Sequence, residues 1–273
     1  MLPGKNALCY SRRIGRGFAM LAILLWMADA PEGNAQARTL QQYETFRAAF
    51  KRAPFKPMFL TWETATSDPV LEGQALQFVT SRLPNSPPAF LNGPFEPIAA
   101  FSLEGTLDAY LIRGRSELND FNVSLAIVRN DGQLIHIELV AGRKGDEGFY
   151  QEQFGWIRDL NGDGMPDLLI SKQFAKLSKD NSYAEYDTGA LQQKAWNGNR
   201  FVTSNFPITA QLKALTEEDV GSFRLEQLHH WDSDPRSRNA AIQSYELWIK
   251  MYPGHSQMAI ARSKLQQLRN PSR

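Results

Sequence analysis

The chain has 273 residues, and its 30 basic and 29 acidic side chains give a formal net charge of +1. This balance excludes a strongly basic nucleic-acid binder and a protein with a long acidic tail. Hydrophobic residues make up 42% of the sequence, which is enough for a packed core, so wholesale disorder is excluded as well. The single cysteine, Cys9, excludes an intrachain disulfide and a zinc site built from cysteines.

Residues 1–37 have the pattern of a secretory signal peptide. Basic residues between positions 5 and 16 precede an apolar run over residues 18–28, and small residues follow it. The run is shorter than the roughly 20 residues that a membrane-spanning helix needs. An Ala-x-Ala site at residues 35–37 predicts cleavage before Arg38. We therefore expect a periplasmic or secreted protein with no membrane span after cleavage; the alternative is an uncleaved membrane anchor.

Residues 38–94 are expected to form helices followed by a proline-rich connector. Apolar residues from Leu40 to Phe50 recur at helical spacing, and Pro54 stops that run. A second helix is expected to start at Asp68-Pro69, because an N-cap residue is followed there by proline at the first helical position.

Residues 95–205 are expected to form an antiparallel β domain. Apolar and polar side chains alternate in residues 121–127 and 135–139, which is typical of strands with one buried face and one solvent face. Other candidate strands, separated by Gly, Asp and Asn turns, cover residues 97–103, 107–113, 150–158, 167–174, 184–196 and 200–204. The pattern predicts a β meander in a small sheet, a sandwich or a partial propeller.

The turn Asn130-Asp131-Gly132 joins two of these strands and predicts a hairpin with a three-residue loop. Such a loop would pair Ile127 with Ile135 and keep the apolar residues on one face. A two-residue turn would instead place Ile127 opposite His136.

Residues 206–273 are expected to be helical. Thr216–Asp219 resembles a capping box at a helix N-terminus, and Ser233-Asp234-Pro235 is expected to open the next helix. Pro253-Gly254 breaks that helix, and a last helix is expected over residues 256–268. The whole sequence thus predicts an α+β fold, in which an antiparallel β meander is flanked by N- and C-terminal helices.

One segment of the β domain, residues 159–167, carries the spacing of a cation-binding loop. Side-chain oxygens stand at loop positions 1, 3, 5 and 9, and a glycine stands at position 6, where such a loop turns sharply. Oxygen donors without sulfur or imidazole predict a hard cation, Ca²⁺. Position 12 is Ile170 instead of the bidentate glutamate of an EF-hand, so we expect modest affinity and a structural ion. The expected ligands are Asp159, Asn161, Asp163, Asp167 and the main-chain carbonyl of Met165.

The pattern D-x-N-x-D-G-x-x-D, followed by the apolar strand Leu168-Leu169-Ile170, resembles the calcium loop of FG-GAP and VCBS-type repeats, the blades of integrin-like β-propellers. The resemblance implies the same five ligands. The segment 196–201, W-N-G-N-R-F, resembles the hairpin that closes a single such unit in exported bacterial proteins. The motif occurs once, whereas a propeller needs about four to eight blades, so we expect one motif-bearing unit.

Residues 241–268 resemble one tetratricopeptide-type helical hairpin of bacterial envelope proteins, with Tyr252-Pro253 at the end of its first helix. The alternative is a pair of helices packed on the sheet, because such repeats need about three copies to be stable alone.

The mature chain contains no serine-hydrolase, P-loop, dinucleotide-binding or zinc-protease motif. His136 and His255 have no partner that the sequence makes evident. We therefore expect an exported, non-enzymatic calcium-binding module that binds a protein or glycan partner in the cell envelope. The alternative is an envelope hydrolase whose carboxylates are dispersed along the sequence, as in glycosidases.

We predict that the exported protein begins at Arg38, because cleavage follows the small residues at positions 35–37. N-terminal sequencing of protein recovered from the periplasm or the medium should read Arg38-Thr39-Leu40. Protein in the membrane fraction that starts at Met1 would contradict the prediction.

Overall fold

The computed structural model describes most of the chain in nine segments, and confirms an α+β fold with helices on both sides of an antiparallel meander. The described segments are residues 32–66, 70–81, 94–103, 105–115, 120–146, 148–177, 183–186, 189–231 and 238–270. Most of the expected signal peptide lies outside them, so that prediction stays a prediction.

The helices are α1 (Glu32–Ala48), α2 (Gly73–Thr80), α3 (Ala210–Trp231), α4 (Arg238–Met251) and α5 (Met258–Arg269). The strands are β1 (Met58–Leu60), β2 (Phe95–Ser102), β3 (Leu107–Arg115), β4 (Phe121–Arg129), β5 (Leu134–Asp146), β6 (Phe149–Arg158), β7 (Asp167–Leu177), β8 (Tyr183–Tyr186), β9 (Leu191–Trp196) and β10 (Phe201–Thr203).

The strands form one antiparallel sheet in the order β10-β9-β7-β6-β5-β4-β3-β2, with β1 added to β6 and β8 added to β7. Strand β6 changes partner along its length: Gln153 pairs with β5, whereas Gly155 to Ile157 pair with β1. Both halves of the sheet supply one interior cluster, in which Leu125 of β4 lies with Leu168 of β7. The sheet is therefore folded over a shared interior.

The N-terminal helices cover the outer face of β2–β4. Phe46 of α1 and Phe78 of α2 stack with ring centroids 4.7 Å apart, and Phe46 also contacts Tyr110 of β3. Beside them lies the buried carboxylate of Asp108, which accepts hydrogen bonds from Tyr43 and Tyr110 at 3.2 Å and from the Arg52 guanidinium. Burial alone would raise the pKa of Asp108, but the Arg52 hydrogen bond and charge outweigh it and lower that pKa.

The C-terminal helices cover the outer face of β6 and β7. Trp248 of α4 and Leu265 of α5 belong to the same cluster as Trp156 of β6, which supports the alternative of two helices packed on the sheet. Arg224 of α3 reaches between them to Glu152 of β6, with Nη2 and Oε2 2.6 Å apart and both side chains fully buried. The C-terminal layer is thus fixed by both apolar contacts and one ion pair.

Several expected boundaries were wrong. Helix α2 begins at Gly73, after Glu72, while Asp68-Pro69 lies outside the described residues. Helix α3 begins at Ala210, so Thr216 lies inside it; the hydroxyl of Thr209 accepts the hydrogen bond of Leu212 N–H and caps this helix instead.

Several of the observed strands differ from the expected ones. Strand β1 lies within residues 38–94, where only helices and a connector were expected, because three residues are too few to show an alternating pattern. The single strand expected over residues 184–196 is two strands, β8 and β9, which pair with different parts of β7. Strand β5 runs to Asp146, seven residues beyond the expected segment, and the other expected strands are confirmed within a few residues.

The hairpin of β4 and β5 has the three-residue loop that was expected, but not the expected register. Arg129 N–H donates to Gln133 O at 2.8 Å, and Gly132 takes the left-handed φ of 84°. A β-bulge next to this loop then places Ile127 opposite His136, so the predicted pairing of Ile127 with Ile135 is wrong. Strand β4 is buried on both faces from Asn122 to Val128, so no solvent face selects the register.

We predict that Glu152→Gln destabilises the protein by about 3–5 kcal/mol, because it leaves the buried Arg224 guanidinium without a countercharge. Urea unfolding followed by tryptophan fluorescence measures the change. Glu226→Gln, an exposed glutamate on the same helix as Arg224, is the matched control and should change stability by less than about 0.5 kcal/mol. Equal stabilities of the two variants would show that the ion pair contributes nothing.

Candidate functional site

The predicted calcium loop connects β6 to β7, and its two ends are register partners: Arg158 lies opposite Asp167. Strands β6 and β7 face the shared interior on one side and the C-terminal helices on the other. A cation in this loop would therefore link two strands that contribute side chains to both the shared interior and the cluster under the C-terminal helices.

The carboxylate of Asp159 lies at the centre of the loop. Its Oδ1 accepts hydrogen bonds from Gly162 N–H at 2.7 Å and Asp163 N–H at 3.1 Å, and its Oδ2 accepts one from Gly164 N–H at 2.9 Å. Gly162 and Gly164 have φ values of 78° and 81°, a left-handed conformation that other residues adopt at a cost. The glycines thus allow the main chain to wrap around this carboxylate.

The other predicted side-chain ligands also turn into the loop. Asn161 Oδ1 accepts from Asp163 N–H at 2.9 Å, and Asp163 Oδ1 accepts from Met165 N–H at 2.8 Å. Asp167 Oδ2 accepts from Leu160 N–H at 2.8 Å. The structure therefore brings the four side chains to one loop in the order that the sequence predicts.

Hydrogen bonds within the loop hold its conformation, and its acidic side chains do not converge on one point. Within the described segments, no three carboxylate, imidazole or thiolate side chains lie close enough together to hold a metal ion. Asn161 and the Met165 carbonyl are the other expected donors of the loop. The carboxylates of Asp159 and Asp163 are exposed, whereas that of Asp167 is buried.

Asp167 differs from the other loop carboxylates because it is buried. Burial raises its pKa, and the negative charges of Asp163 and Asp159 raise it further, while hydrogen bonds from the main chain of Leu160 and Asn161 act in the opposite direction. The net pKa is above the ordinary value, so the loop without a cation disfavours the charged form of this carboxylate.

A second polar cluster, which the sequence did not predict, is formed by His136, Glu138 and Lys194. Lys194 Nζ donates to Glu138 Oε1 at 2.7 Å, and His136 Nε2 lies 3.3 Å from Glu138 Oε2. The His136 ring also lies beside Phe201, with centroids 5.8 Å apart. The alternation of side chains predicted that His136 lies on a solvent face. The contact with Lys194 could not be predicted from the sequence, because Lys194 is 56 positions from Glu138 and approaches it only in the folded sheet.

His255 has a structural environment that the sequence also did not show. Its Nδ1 accepts the hydrogen bond of Gln257 N–H at 3.0 Å, and its Nε2 lies 2.9 Å from the main-chain oxygen of Glu218. The buried ring therefore joins the turn between α4 and α5 to α3.

The large cavities formed by described residues contain few acids. A cavity of about 600 Å³ between the sheet and α3 is lined by a single carboxylate, that of Glu217. Two others, of about 550 and 540 Å³, have no carboxylate among their described lining residues. A glycosidase-type pair of acids, which would act from one cavity, is not assembled in any of these three.

No family model matches this chain, and no curated protein or solved structure is significantly similar to it. In the part of the chain that the structure describes, no helix is both long and apolar enough to cross a membrane.

We predict that the Glu138 cluster stabilises the fold at neutral pH and loses this effect in acid. Burial would raise the pKa of Glu138, but the hydrogen bonds and charges of His136 and Lys194 outweigh it and lower the pKa from its ordinary value. A carboxyl with a depressed folded-state pKa stabilises above its unfolded pKa, and the effect disappears as pH falls through the folded pKa.

Glu138→Gln should accordingly cost about 1–3 kcal/mol near pH 7 and much less near pH 3. Urea unfolding at both pH values measures it. Glu44→Gln, an exposed glutamate on α1, should leave the pH dependence of the wild type unchanged. A Glu138→Gln effect of the same size at both pH values would contradict the prediction.

Proposed function

We propose that this protein is an exported, non-enzymatic module in which a structural Ca²⁺ bound by residues 159–167 stabilises a β domain, and that the module binds a protein or glycan partner in the cell envelope. The observation that supports it most directly is the Asp159 carboxylate, towards which three successive main-chain N–H groups of the loop point. This wrapping is the local geometry in which loop carboxylates and carbonyls can surround a hard cation.

The charges of the loop favour a dication. Three carboxylates lie in a segment of nine residues, and the pKa of Asp167 is raised by burial and by its two acidic neighbours. A bound Ca²⁺ would offset these charges and favour the ionised form of Asp167. Asp159, Asn161, Asp163 and Asp167 would hold it through side chains and Met165 through its carbonyl.

A structural role fits the position of the loop better than a catalytic one. The loop joins two central strands at paired residues, so an ion there would hold the ends of β6 and β7 together. The described cavities that could hold a substrate are lined by one carboxylate or none, which favours a binding module over the alternative of an envelope hydrolase. The part of the proposal that concerns export is supported by the signal-peptide pattern of residues 1–37.

We predict that Ca²⁺ raises the melting temperature of the mature protein by a few degrees. With a dissociation constant of about 10⁻⁴ M, about 1 mM Ca²⁺ stabilises the folded state by roughly 1.4 kcal/mol. Mg²⁺ should do less, because it requires a tighter octahedral shell and retains its water. Thermal melts in Ca²⁺, in Mg²⁺ and in chelator provide the comparison.

Asp163→Ala should abolish the calcium effect. Asp131→Ala is the matched control, because Asp131 is also an exposed turn carboxylate that accepts a main-chain hydrogen bond, at 2.9 Å from Gln133 N–H. This control should respond to Ca²⁺ as the wild type does. Identical melting temperatures of the wild type in all three solutions would remove the calcium proposal.

A further inference from the structure

A cavity of about 540 Å³ lies between the end of β6, the middle of β9 and the first turns of α3. It is separate in its chemistry from the calcium loop, because its polar lining consists of a guanidinium, amides and a hydroxyl instead of carboxylates. The lining residues are Arg158, Leu160, Gln193, Phe206, Pro207, Thr209, Gln211, Leu212 and Leu215.

Arg158 carries the only charge among the described residues that line this cavity. Its Nε is buried and has no hydrogen-bond partner. Asp167 is its partner in the strand register, yet the Asp167 carboxylate accepts the hydrogen bond of Leu160 N–H and forms no ion pair with Arg158. The cavity therefore contains a cationic side chain with one buried N–H that has no hydrogen-bond partner.

Gln193 adds a second polar group to the cavity. The residue is only 4% exposed and lines the cavity, and its side chain forms no hydrogen bond within the described structure. Its amide is therefore available to donate to, or accept from, a ligand in the cavity. The first turn of α3 adds a positive electrostatic potential. The N–H groups of Ala210 and Gln211 stand at the N-terminus of this helix, before the Leu212 N–H that Thr209 caps.

The remaining walls are apolar and belong to Leu160, Phe206, Leu212 and Leu215. We propose that this cavity binds a small organic anion, a carboxylate with an apolar body. Its carboxylate would contact the Arg158 guanidinium and the Gln193 amide, and its apolar body would lie against the leucines. A planar carboxylate suits the guanidinium fork, and the volume is in the range of small-molecule sites.

Calorimetric titration of the mature protein with octanoate, in saturating Ca²⁺, tests this proposal. We expect octanoate to bind with a dissociation constant of about 1 mM or tighter. Octanamide, which has the same apolar chain but no charge, should bind at least about tenfold more weakly, because it cannot form the charge-assisted pair with Arg158. Inorganic phosphate, which lacks the apolar body, should also bind more weakly.

Arg158→Gln should weaken octanoate binding at least about tenfold. Arg200→Gln is the matched control, because Arg200 is an exposed arginine on the neighbouring hairpin. This control should bind octanoate as the wild type does. If Arg158→Gln fails to fold, Gln193→Leu replaces it as the test, and we expect that variant to bind several-fold more weakly.

Three results would overturn the proposal: equal binding of octanoate and octanamide, unchanged binding by Arg158→Gln, or binding of phosphate without binding of octanoate. Asp163→Ala separates this proposal from the calcium site, because Asp163 does not line the cavity. That variant should retain octanoate binding within about threefold even though its calcium effect is lost.

Discussion

The buried ion pair between Glu152 and Arg224 constrains the C-terminal half of the structure. Both side chains have no solvent exposure, and Gln173 adds a hydrogen bond to the guanidinium at 3.0 Å. A shift of α3 by one helical turn would leave both charges unpaired in a medium of low polarity, in addition to disrupting the close-packed apolar contacts. The ion pair therefore favours the observed docking of α3 on β6 and β7, and α4 and α5 pack beside it.

A similar constraint operates on the opposite face of the sheet. Asp108 of β3 is buried beneath α1 and is held by Arg52 and by the hydroxyls of Tyr43 and Tyr110. In each helical layer a strand carboxylate therefore bonds to a side chain of the covering helix, Tyr43 of α1 for Asp108 and Arg224 of α3 for Glu152. Helices therefore cover the outer faces of the sheet, and both halves of the sheet fill the interior.

The parts of the fold that depend on neighbouring residues could be predicted from the sequence, and the parts that depend on distant ones could not. Alternation located most strands, and a nine-residue spacing located the loop at Asp159, because both are local patterns. The pairing of Ile127 with His136 depends on a bulge within a doubly buried strand, so side-chain alternation gave the wrong register. Glu138 and Lys194, like Arg158 and Gln193, come together only through the strand order, which no single segment encodes.

The calcium loop and the proposed anion cavity share the same end of the sheet, and Leu160 belongs to both. Its N–H donates to Asp167, while it also lines the cavity next to Arg158. Three loop carboxylates near the cavity oppose an anion there, and a bound dication offsets their charge. In a chain that binds both ligands, each would therefore strengthen the binding of the other, since thermodynamic linkage makes such coupling reciprocal. The coupling is modest, within about threefold, because the loop carboxylates that would hold the ion do not line the cavity.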